Sequence, residues 1–358
     1  MTTERSAPAL RIGSLFSGIG GLDLGLERAG VGRPVWFCDV EPFALGILAR
    51  RWPDVPQLPD VREVTPTTAA PIDVLCGGFP CQDISLAGSG AGLEGKRSGL
   101  FFEMIRVARQ FTPRFIVFEN VATIRARGLD TVLTELHAAG YDAAWSTFGA
   151  DAVGAPHRRL RWWCVAYRHG EDRAPAMGST WGLVGARGKP PAHGVMAGGR
   201  IAHGEAWGGA SAPCEQWPTP TKWEGRQAQV SPGDLRRKSP GLRADAVLTD
   251  AVGYRVSVAK DANTIASAVR ESGLTLNADW VDALMGFPVG WTTDADPQAW
   301  PGWPARPGWP QVAGEPPRTV QRGTQANRGK RISALGNAVV PQCAEVVGRK
   351  LLEIKGDD

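Results

Sequence analysis

The residue with the clearest chemical potential is Cys81, which follows Gly77-Gly-Phe-Pro80 and precedes Gln82. The apolar run Ile72–Cys76 before it is typical of a buried strand, whereas glycine and proline favour a loop. A loop at the carboxyl end of a sheet strand is where α/β folds bind ligands. Because a thiolate is intrinsically nucleophilic, a covalent step through Cys81 is indicated. Cys76, inside the apolar run, is expected to pack in the core.

Two further kinds of side chain could assist such a nucleophile. Glu119 ends the apolar run Phe115–Phe118, where its carboxyl could donate or hold a proton, although it could instead cap the following turn. In Arg159-Leu-Arg161-Trp-Trp163, a strand would put both guanidiniums on one face by period-two alternation. There they could favour the thiolate and bind a carbonyl or phosphates. A solvated strand face would show the same pattern.

A glycine-rich turn, Phe16-Ser-Gly-Ile-Gly-Gly21, follows one apolar run and opens an amphipathic stretch. Such a turn lets a nucleotide-like ligand approach the backbone and a helix amino terminus. The dinucleotide fingerprint needs glycine where this chain has Asp23, which disfavours a nicotinamide cofactor. Asp39 could accept hydrogen bonds from ribose hydroxyls and Asp60 from an adenine amine. Each could instead be a turn or cap residue.

Apolar runs that alternate with amphipathic stretches must position these side chains. Over residues 10–167 this alternation predicts an α/β fold with a doubly wound, Rossmann-like and mostly parallel sheet. The predicted strands are Leu10–Phe16, Val35–Cys38, Ile72–Cys76 and Phe115–Phe118. The predicted helices are Leu22–Arg28, Phe43–Trp52, Leu100–Gln110 and Thr131–Ala139.

After Arg168 the periodicity is lost. Residues 168–273 are rich in Gly, Pro, Trp and Arg, which predicts a smaller, irregular domain. Helical patterning returns at Asn277–Met285 and Ala338–Leu352. The segment Trp300–Pro310 between them is predicted to be a surface loop without regular structure, since its prolines lack backbone donors.

The composition permits a substantial core and excludes several classes of protein. The chain has 358 residues, of which 43% are hydrophobic. Its six cysteines form no Cys-x-x-Cys pair, so neither a disulfide scaffold nor a metal site is expected. No apolar segment has the length of a signal peptide core or a membrane span, so a cytoplasmic protein is expected. A net charge of +4 allows nucleic-acid binding without indicating it.

Six motifs in order resemble those of the cytosine-5 DNA methyltransferase family. Gly78-Phe-Pro-Cys-Gln82, followed one strand later by Glu119-Asn-Val121, is the most specific combination. The resemblance covers about 10–167 and 274–352. The other motifs are Phe16-Ser-Gly-Ile-Gly-Gly21, Pro156-His-Arg-Arg-Leu-Arg161, Leu276–Pro288 and Gly336-Asn-Ala-Val-Val-Pro341.

The resemblance implies a bacterial or phage enzyme that flips a cytosine out of double-stranded DNA and methylates its carbon 5 from S-adenosylmethionine. The ring is too electron-poor to attack a methyl group unaided, so Cys81 would first add to carbon 6. Glu119 would act at ring nitrogen 3, and Arg159 and Arg161 at the cytosine carbonyl and nearby phosphates. A monomer without metal or membrane contact is expected, and a companion restriction endonuclease is left open.

The resemblance also assigns binding residues and domains. Residues 8–167 would form the catalytic domain, 168–273 the target-recognition domain, and 274–354 a hinge that returns to the catalytic domain. DNA contacts are implied for Gln82, Ser85 and Arg97, in a stretch whose composition suits a mobile lid. Cofactor contacts are implied for Phe16, Gly18, Ile19, Gly21, Asp39, Val40, Asp60, Val61, Gly78, Pro80, Leu100, Asn337 and Val339.

Three departures from the family pattern stand out. Ser14 replaces a usual aspartate, His157 replaces a usual glutamine and is expected to be structural, and the stretch Thr292–Arg331 is longer than usual. A tRNA-directed relative, a DNA-binding protein with a decayed site and a thiol oxidoreductase remain alternatives. Intact Cys81 and Glu119 argue against a decayed site.

Overall fold

A computed structural model of the chain describes residues 9–80, 99–126, 128–170, 193–197, 200–203, 216–220, 272–306 and 311–356. The chain divides into two compact units. Unit 1 comprises residues 1–149, 160–210 and 341–358, and unit 2 comprises 150–159 and 211–340. Most of the predicted recognition domain, 168–273, lies outside the described residues. The predicted domain boundaries therefore stay a prediction.

A mixed sheet forms the centre of unit 1. Six strands, β1 to β6, run in one direction, and β7 is antiparallel to both β5 and β6. The strand order is β3-β2-β1-β4-β5-β7-β6-β8-β9. In chain order the strands are β1 (Leu10–Leu15), β2 (Gly32–Cys38), β3 (Gln57–Leu58), β4 (Val74–Gly77), β5 (Phe115–Val121), β6 (Tyr141–Phe148), β7 (Arg161–Arg168), β8 (His193–Ala197) and β9 (Arg200–His203). This order confirms the Rossmann-like, doubly wound fold that the sequence predicts.

The described residues contain seven α-helices. In chain order these are α1 (Gly21–Arg28), α2 (Pro42–Arg51), α3 (Gly99–Phe111), α4 (Leu129–Ala138), α5 (Ala278–Leu284), α6 (Arg328–Asn337) and α7 (Pro341–Lys355). The first four agree with the predicted helices within two residues at each end. The predicted helix Ala338–Leu352 is displaced, because α6 ends before it and Pro341 takes the first position of α7.

Helix α7 packs closely on α1. A Cβ atom added at Gly25 would lie 2.4 Å from the Ala344 Cβ, and one at Gly348 would lie 2.6 Å from the Ala29 Cβ. Both distances are shorter than van der Waals contact, so glycine is required for the two helices to approach this closely. The carboxyl-terminal part of the chain thereby completes unit 1.

The core of unit 1 extends across both faces of the sheet. Strand β6 is buried along its whole length, and β7 is buried between its two ends. Their aromatic residues include Trp145, Trp162 and Trp163, each at most 1% exposed. A strand that is buried on both faces shows no polar alternation, which is why the sequence gives no clear signal for β6.

Unit 2 contains α5, α6 and an antiparallel pair, β10 (Leu274–Leu276) and β11 (Thr319–Gln321). Its buried polar centre is Asp282, which accepts hydrogen bonds from the hydroxyl of Thr292 at 2.9 Å and from Arg331 at 3.0 Å. Burial raises the pKa of Asp282 to about 7, although Arg331 opposes the shift. Thr292 and Arg331 are the two ends of the long stretch noted in the sequence. Asp282 therefore closes that stretch into a loop with a fixed base.

Within the Trp300–Pro310 segment, the described part has no helix or strand, as predicted. Its indoles are nevertheless tethered within unit 2. Trp300 Nε1 donates to the carbonyl of Ala283 at 3.2 Å, and Trp303 Nε1 donates to that of Val153 at 3.2 Å. Both side chains are half-buried. No helix among the described residues is long and apolar enough to cross a membrane.

Candidate active site

Glu119 and Arg161 form the centre of the site in unit 1. Glu119 lies near the carboxyl end of β5, and Arg161 is the first residue of β7, opposite Val121. They are diagonal neighbours on the antiparallel pair, so their side chains can meet. Arg161 Nε lies 2.8 Å from Glu119 Oε1, and the two side chains are 21% and 13% exposed. A largely buried carboxylate is thus paired with a cation at the edge of the sheet where α/β folds bind ligands.

The end of β4 lies beside the same carboxylate and is hydrogen-bonded to the residue that follows Glu119. A Cβ added at Gly78 would lie 2.9 Å from Glu119 Oε2, so a larger residue here would displace the end of the Glu119 side chain. Asn120 Nδ2 donates to the carbonyl of Phe79 at 2.9 Å, and Asn120 Oδ1 accepts from the backbone of Val121 at 2.8 Å. Asn120 was not predicted to be a site residue. Its position directly after Glu119 was the available signal.

Four predicted site residues, Cys81, Gln82, Ser85 and Arg97, lie outside the described residues. Cys81 follows Phe79 by two positions in the sequence. Cys76 is fully buried in β4, as predicted for a core residue.

The prediction that Arg159 shares a strand face with Arg161 is wrong. Strand β7 begins only at Arg161, and Arg159 has a φ of 35°, which turns the chain away from an extended path. Arg159 belongs to unit 2, where it is 5% exposed. Its guanidinium donates to the carbonyls of Gly336 at 3.1 Å and Ala338 at 2.6 Å. Arg159 thus holds the turn between α6 and α7.

His157 is a buried structural residue, as the sequence predicts. Its side chain is fully buried in unit 2, and its Nε2 lies 2.9 Å from the carbonyl oxygen of Leu284. Asn337 and Val339 also belong to unit 2, at the end of α6 and in the turn after it. Asn337 is exposed and Val339 is half-buried.

The glycine-rich turn connects β1 to α1. Phe16, Gly18 and Gly20 have φ values of 53°, 54° and 79°, a run of left-handed conformations that glycine favours. A Cβ at Gly18 would meet nothing within 4 Å, so open space adjoins the turn. Ile19 is buried beneath it, and Gly21 begins α1. The turn therefore exposes backbone to a ligand while its apolar residue anchors it.

Asp39, at the end of β2, supports this turn. Its Oδ2 accepts from the backbone N–H of Gly18 at 2.7 Å, and its Oδ1 accepts from that of Glu41 at 2.9 Å. Burial raises the pKa of Asp39, and these backbone donors oppose the shift. A carboxylate has about four acceptor sites, so capacity remains for ligand hydroxyls. Val40 beside it is 84% exposed, which offers an apolar surface for a flat ring.

Asp60 precedes a short 3-10 turn that begins at the buried Val61. The Arg62 guanidinium binds both oxygens of Asp60, the closer contact being 2.7 Å, and this hydrogen bonding lowers the pKa of Asp60. Asp60 is therefore an ionised acceptor at neutral pH. Pro80 is exposed after β4, and Leu100 packs partly against the core at the start of α3.

Asp23 forms a second buried carboxylate, beneath the glycine-rich turn. Ser14 and Cys76 donate hydrogen bonds to it, with a distance of 3.5 Å from Cys76 Sγ to Asp23 Oδ1. Burial raises the pKa of Asp23 to about 6. Helix α1 thus brings a carboxylate to Ser14, the position at which the resemblance led us to expect an aspartate. Where the family usually has an aspartate and this chain has Ser14, Asp23 of the neighbouring helix α1 provides an acidic group beside it.

Comparison with known proteins agrees with this geometry. A sequence profile described as C-5 cytosine-specific DNA methylase matches residues 10–182, just under half of the chain. Type II methyltransferase M.CviJI of Paramecium bursaria Chlorella virus IL3A is 35% identical over 156 residues, which are 43% of this chain and 42% of that protein. Type II methyltransferase M2.BsuMI of Bacillus subtilis is 36% identical over 160 residues, 42% of this chain and 40% of that protein. The chain thus spans less than half of each relative.

Solved structures resemble the chain over nearly its full length. The S. pombe Dnmt2 methyltransferase has a TM-score of 0.56 at 15% identity, covering 96% of this chain and 98% of that one. A Spodoptera frugiperda DNMT2 mutant has a TM-score of 0.53 at 16% identity, with the same coverage. At these identities the likeness concerns the fold alone.

Proposed function

We propose that this chain is a member of the C-5 cytosine-specific DNA methylase family, whose profile matches residues 10–182, and that it is a DNA (cytosine-5-)-methyltransferase. In this proposal the enzyme flips a target cytosine out of double-stranded DNA, and the thiolate of Cys81 adds to carbon 6. Residues 168–273 select the DNA sequence. The protein acts as a monomer, and it serves as a restriction-modification, phage or orphan modification enzyme.

The observation that carries the proposal is the 2.8 Å ion pair of Glu119 with Arg161 beside Gly78. The Asn120 amide ties this pair to Phe79, two residues before Cys81 in the sequence. A proton-handling carboxylate and the segment leading to a thiol are therefore held to one sheet edge. Addition of a thiolate to cytosine requires this combination, because negative charge moves to ring nitrogen 3 as the sulfur adds.

In the proposed reaction Glu119 takes up a proton when the base binds, hydrogen-bonds ring nitrogen 3 and passes that proton to it as the sulfur adds. Arg161 keeps the carboxyl oriented and can donate its remaining N–H groups to the carbonyl oxygen of the base. Gly78 leaves room for the carboxylate, and Asn120 keeps the β4 end close to it. These residues position the base edge and offset the unstacking cost of a few kcal/mol. Arg159 acts as a positioning residue for the turn before α7.

Members of this family use S-adenosylmethionine as the methyl donor. The donor supplies a methyl group on a sulfonium, which carbon 5 attacks once Cys81 has added electrons to the ring. The chain offers matching groups for it: the open backbone at Gly18, free acceptor capacity at Asp39, the exposed Val40 and the ionised Asp60. Gly18 would let the ligand approach the backbone, Asp39 would hold the ribose, Val40 the adenine face and Asp60 the adenine amine.

A trapping experiment tests the covalent step without knowledge of the recognition sequence. Duplex DNA with every cytosine replaced by 5-fluorocytosine is incubated with the protein and S-adenosylmethionine. Fluorine at carbon 5 leaves no proton to remove, so sulfur cannot be eliminated after addition and methylation. We expect protein and DNA to remain linked on a denaturing gel. A labelled tRNA substituted in the same way tests the RNA-directed alternative.

Matched variants assign the link to one thiol. Cys81→Ser should abolish the adduct, since a serine hydroxyl is far less ionised than a thiol at neutral pH. Cys343→Ala, which removes a buried thiol in α7, should form it normally. Efficient methylation of ordinary DNA without an adduct on the fluorinated duplex would rule out Cys81 as the nucleophile.

A further inference from the structure

A cluster of imidazole and carboxylate groups lies at the edge of the sheet opposite the active site. His137 is in the last turn of α4, Asp142 is the second residue of β6, and His169 directly follows β7. Strand β6 runs parallel to β5, so its first residues lie at the other end of the sheet from Glu119. The proposed methyl transfer uses none of the three residues.

Their ligand atoms are close enough to share one ion. One atom from each of His137, Asp142 and His169 lies within 4.8 Å of the other two. His169 Nδ1 is 3.1 Å from Asp142 Oδ1, and the rings of His137 and His169 have centroids 4.9 Å apart. Tetrahedral zinc, with bonds of about 2.0 to 2.1 Å, separates its ligand atoms by about 3.3 Å. A small rotation of the exposed imidazoles would reach that geometry.

The backbone already fixes the three positions relative to one another. The N–H of Gly140 donates to the carbonyl of His137 at 2.9 Å, and the N–H of His169 donates to the carbonyl of Gly140 at 3.1 Å. Asp142 lies opposite Tyr167 in the β6–β7 pair. The end of α4 and the end of β7 are thus joined through one glycine turn. Such preorganisation lowers the entropic cost of binding an ion.

A contact outside the cluster points to the same ligand. His169 Nε2 lies 3.4 Å from the carbonyl oxygen of His137. Metal-bound histidines commonly donate their second ring N–H to a carbonyl or carboxylate, which selects the tautomer that leaves the other nitrogen for the metal. With Nε2 protonated and donating, His169 Nδ1 faces Asp142 as a lone-pair donor. The cluster therefore has both the ligands and a supporting hydrogen bond.

We propose that His137, Asp142 and His169 form a binding site for a divalent transition metal, with Zn²⁺ as the best-matched ion. Two imidazoles and one carboxylate are a ligand set that zinc accepts, and water can occupy the fourth position. Metal ligands bind in their deprotonated forms, so metal binding at this site competes with protons. It links α4 to the β6–β7 edge and stabilises unit 1 independently of methyl transfer.

Calorimetric titration of the untagged, EDTA-treated full chain with ZnCl₂ tests this site. We expect one equivalent to bind, with proton release seen as a dependence of the heat on the buffer. His137→Gln and His169→Gln should each lower the affinity at least about 10-fold. Asp142→Asn should also lower it. His203→Gln, outside the cluster, should bind as the wild type does and controls for adventitious binding to histidine.

Three further measurements characterise the site and separate this proposal from misfolding and from the proposed function. Circular dichroism of each variant checks that it is folded, and Co²⁺ in place of Zn²⁺ should give the intense visible absorption of a tetrahedral site. Methyl-transfer activity of His169→Gln should equal that of the wild type. Absence of stoichiometric binding by the wild type, or unchanged affinity in folded His137→Gln or His169→Gln, would overturn the proposal.

Discussion

Arg161 Nε lies 2.8 Å from Glu119 Oε1 across the antiparallel pair of β5 and β7. The pair is largely buried, and neither β7 nor its direction follows from the parallel pattern of the preceding strands. Reversal of β7 is what brings Arg161, its first residue, to the carboxyl end of β5. The position of this cation is thus a consequence of topology, and it determines how the Glu119 carboxyl is oriented.

Glu119→Gln should lower turnover by at least about 100-fold, the lower range for loss of a general acid. The amide keeps the shape of the side chain but cannot pass a proton to ring nitrogen 3. The measurement is tritium transfer from labelled cofactor at saturating DNA, with DNA affinity measured separately and expected to be largely kept. Glu135→Gln removes the carboxylate of a partly exposed pair with Arg109 and should leave turnover unchanged. Near-normal turnover of Glu119→Gln would show that Glu119 has a structural role and is not the general acid.

Gly78→Ala should lower turnover by roughly 10-fold, because displacement of a catalytic group by about 1 Å can cost about 100-fold and the carboxylate must move by about half of that distance. The added Cβ would lie 2.9 Å from Glu119 Oε2 and push the carboxylate from its place. Gly46→Ala is the matched control, since its Cβ would meet nothing closer than 3.6 Å within α2. The control should be active and stabilised by about 0.5 to 1 kcal/mol. Equal turnover of both variants would contradict the predicted crowding at Glu119.

Because of Asp23, the free energy of unfolding should depend on pH between the pKa of this group in the unfolded and in the folded protein. Its pKa is about 6 in the folded protein against an ordinary 3.8, so the folded state binds the proton more tightly. The stabilisation that protonated Asp23 gives the folded state is complete below about pH 4 and is lost as the pH rises through about 6. Asp23→Asn imitates the protonated form, so the wild type should lose on the order of 2 to 3 kcal/mol relative to this variant across the window.

Urea unfolding of both proteins at pH 4 to 8 measures this difference. Asp296→Asn changes an exposed carboxylate and serves as the control, with a curve that should run parallel to the wild type. Parallel curves for wild type and Asp23→Asn would mean that the Asp23 carboxyl is not perturbed by burial.

Exchange of residues 168–273 for the corresponding segment of a relative should change the methylated sequence and leave cofactor binding unaltered. The physical reason is that the catalytic motifs lie on both sides of a segment without helical or strand periodicity. Bisulfite sequencing of DNA from cells that express each chimera reads the result. An unchanged recognition sequence would place specificity elsewhere in the chain.

The sequence predicts those elements whose pattern reflects local physics. Strands β1, β2, β4 and β5 are apolar runs bounded by turn residues, and each is found within three residues of its predicted start and end. Helix α6 was missed because its first turn, Arg328-Gly-Lys-Arg331, reads as polar coil, although Arg331 is buried against Asp282. The charge of Arg331 can be buried because it pairs with Asp282, which is distant in the sequence.

The same distinction between local pattern and distant partners separates the site residues that the sequence predicts from those that it does not. Cys81 and Glu119 stand out because their neighbours in sequence are distinctive, whereas Arg159 was assigned to a strand by alternation alone and instead turns the chain. The cluster of His137, Asp142 and His169 shows no metal-binding spacing in the sequence. Only the register of β6 with β7 brings its members together, and register depends on pairing over distance.

Because α7 covers α1, the amino-terminal part of unit 1 lacks its partner until residues 341–355 have left the ribosome. About 300 residues separate the two helices, which corresponds to roughly 15 to 60 s of synthesis. During that interval the nascent chain leaves Leu26, beside Gly348 in the folded protein, without its cover. Folding of unit 1 can therefore be completed only after nearly the whole chain has been synthesised. A messenger cut short before the codon of Pro341 yields a chain with an incomplete unit 1, which becomes a target for chaperones and proteases.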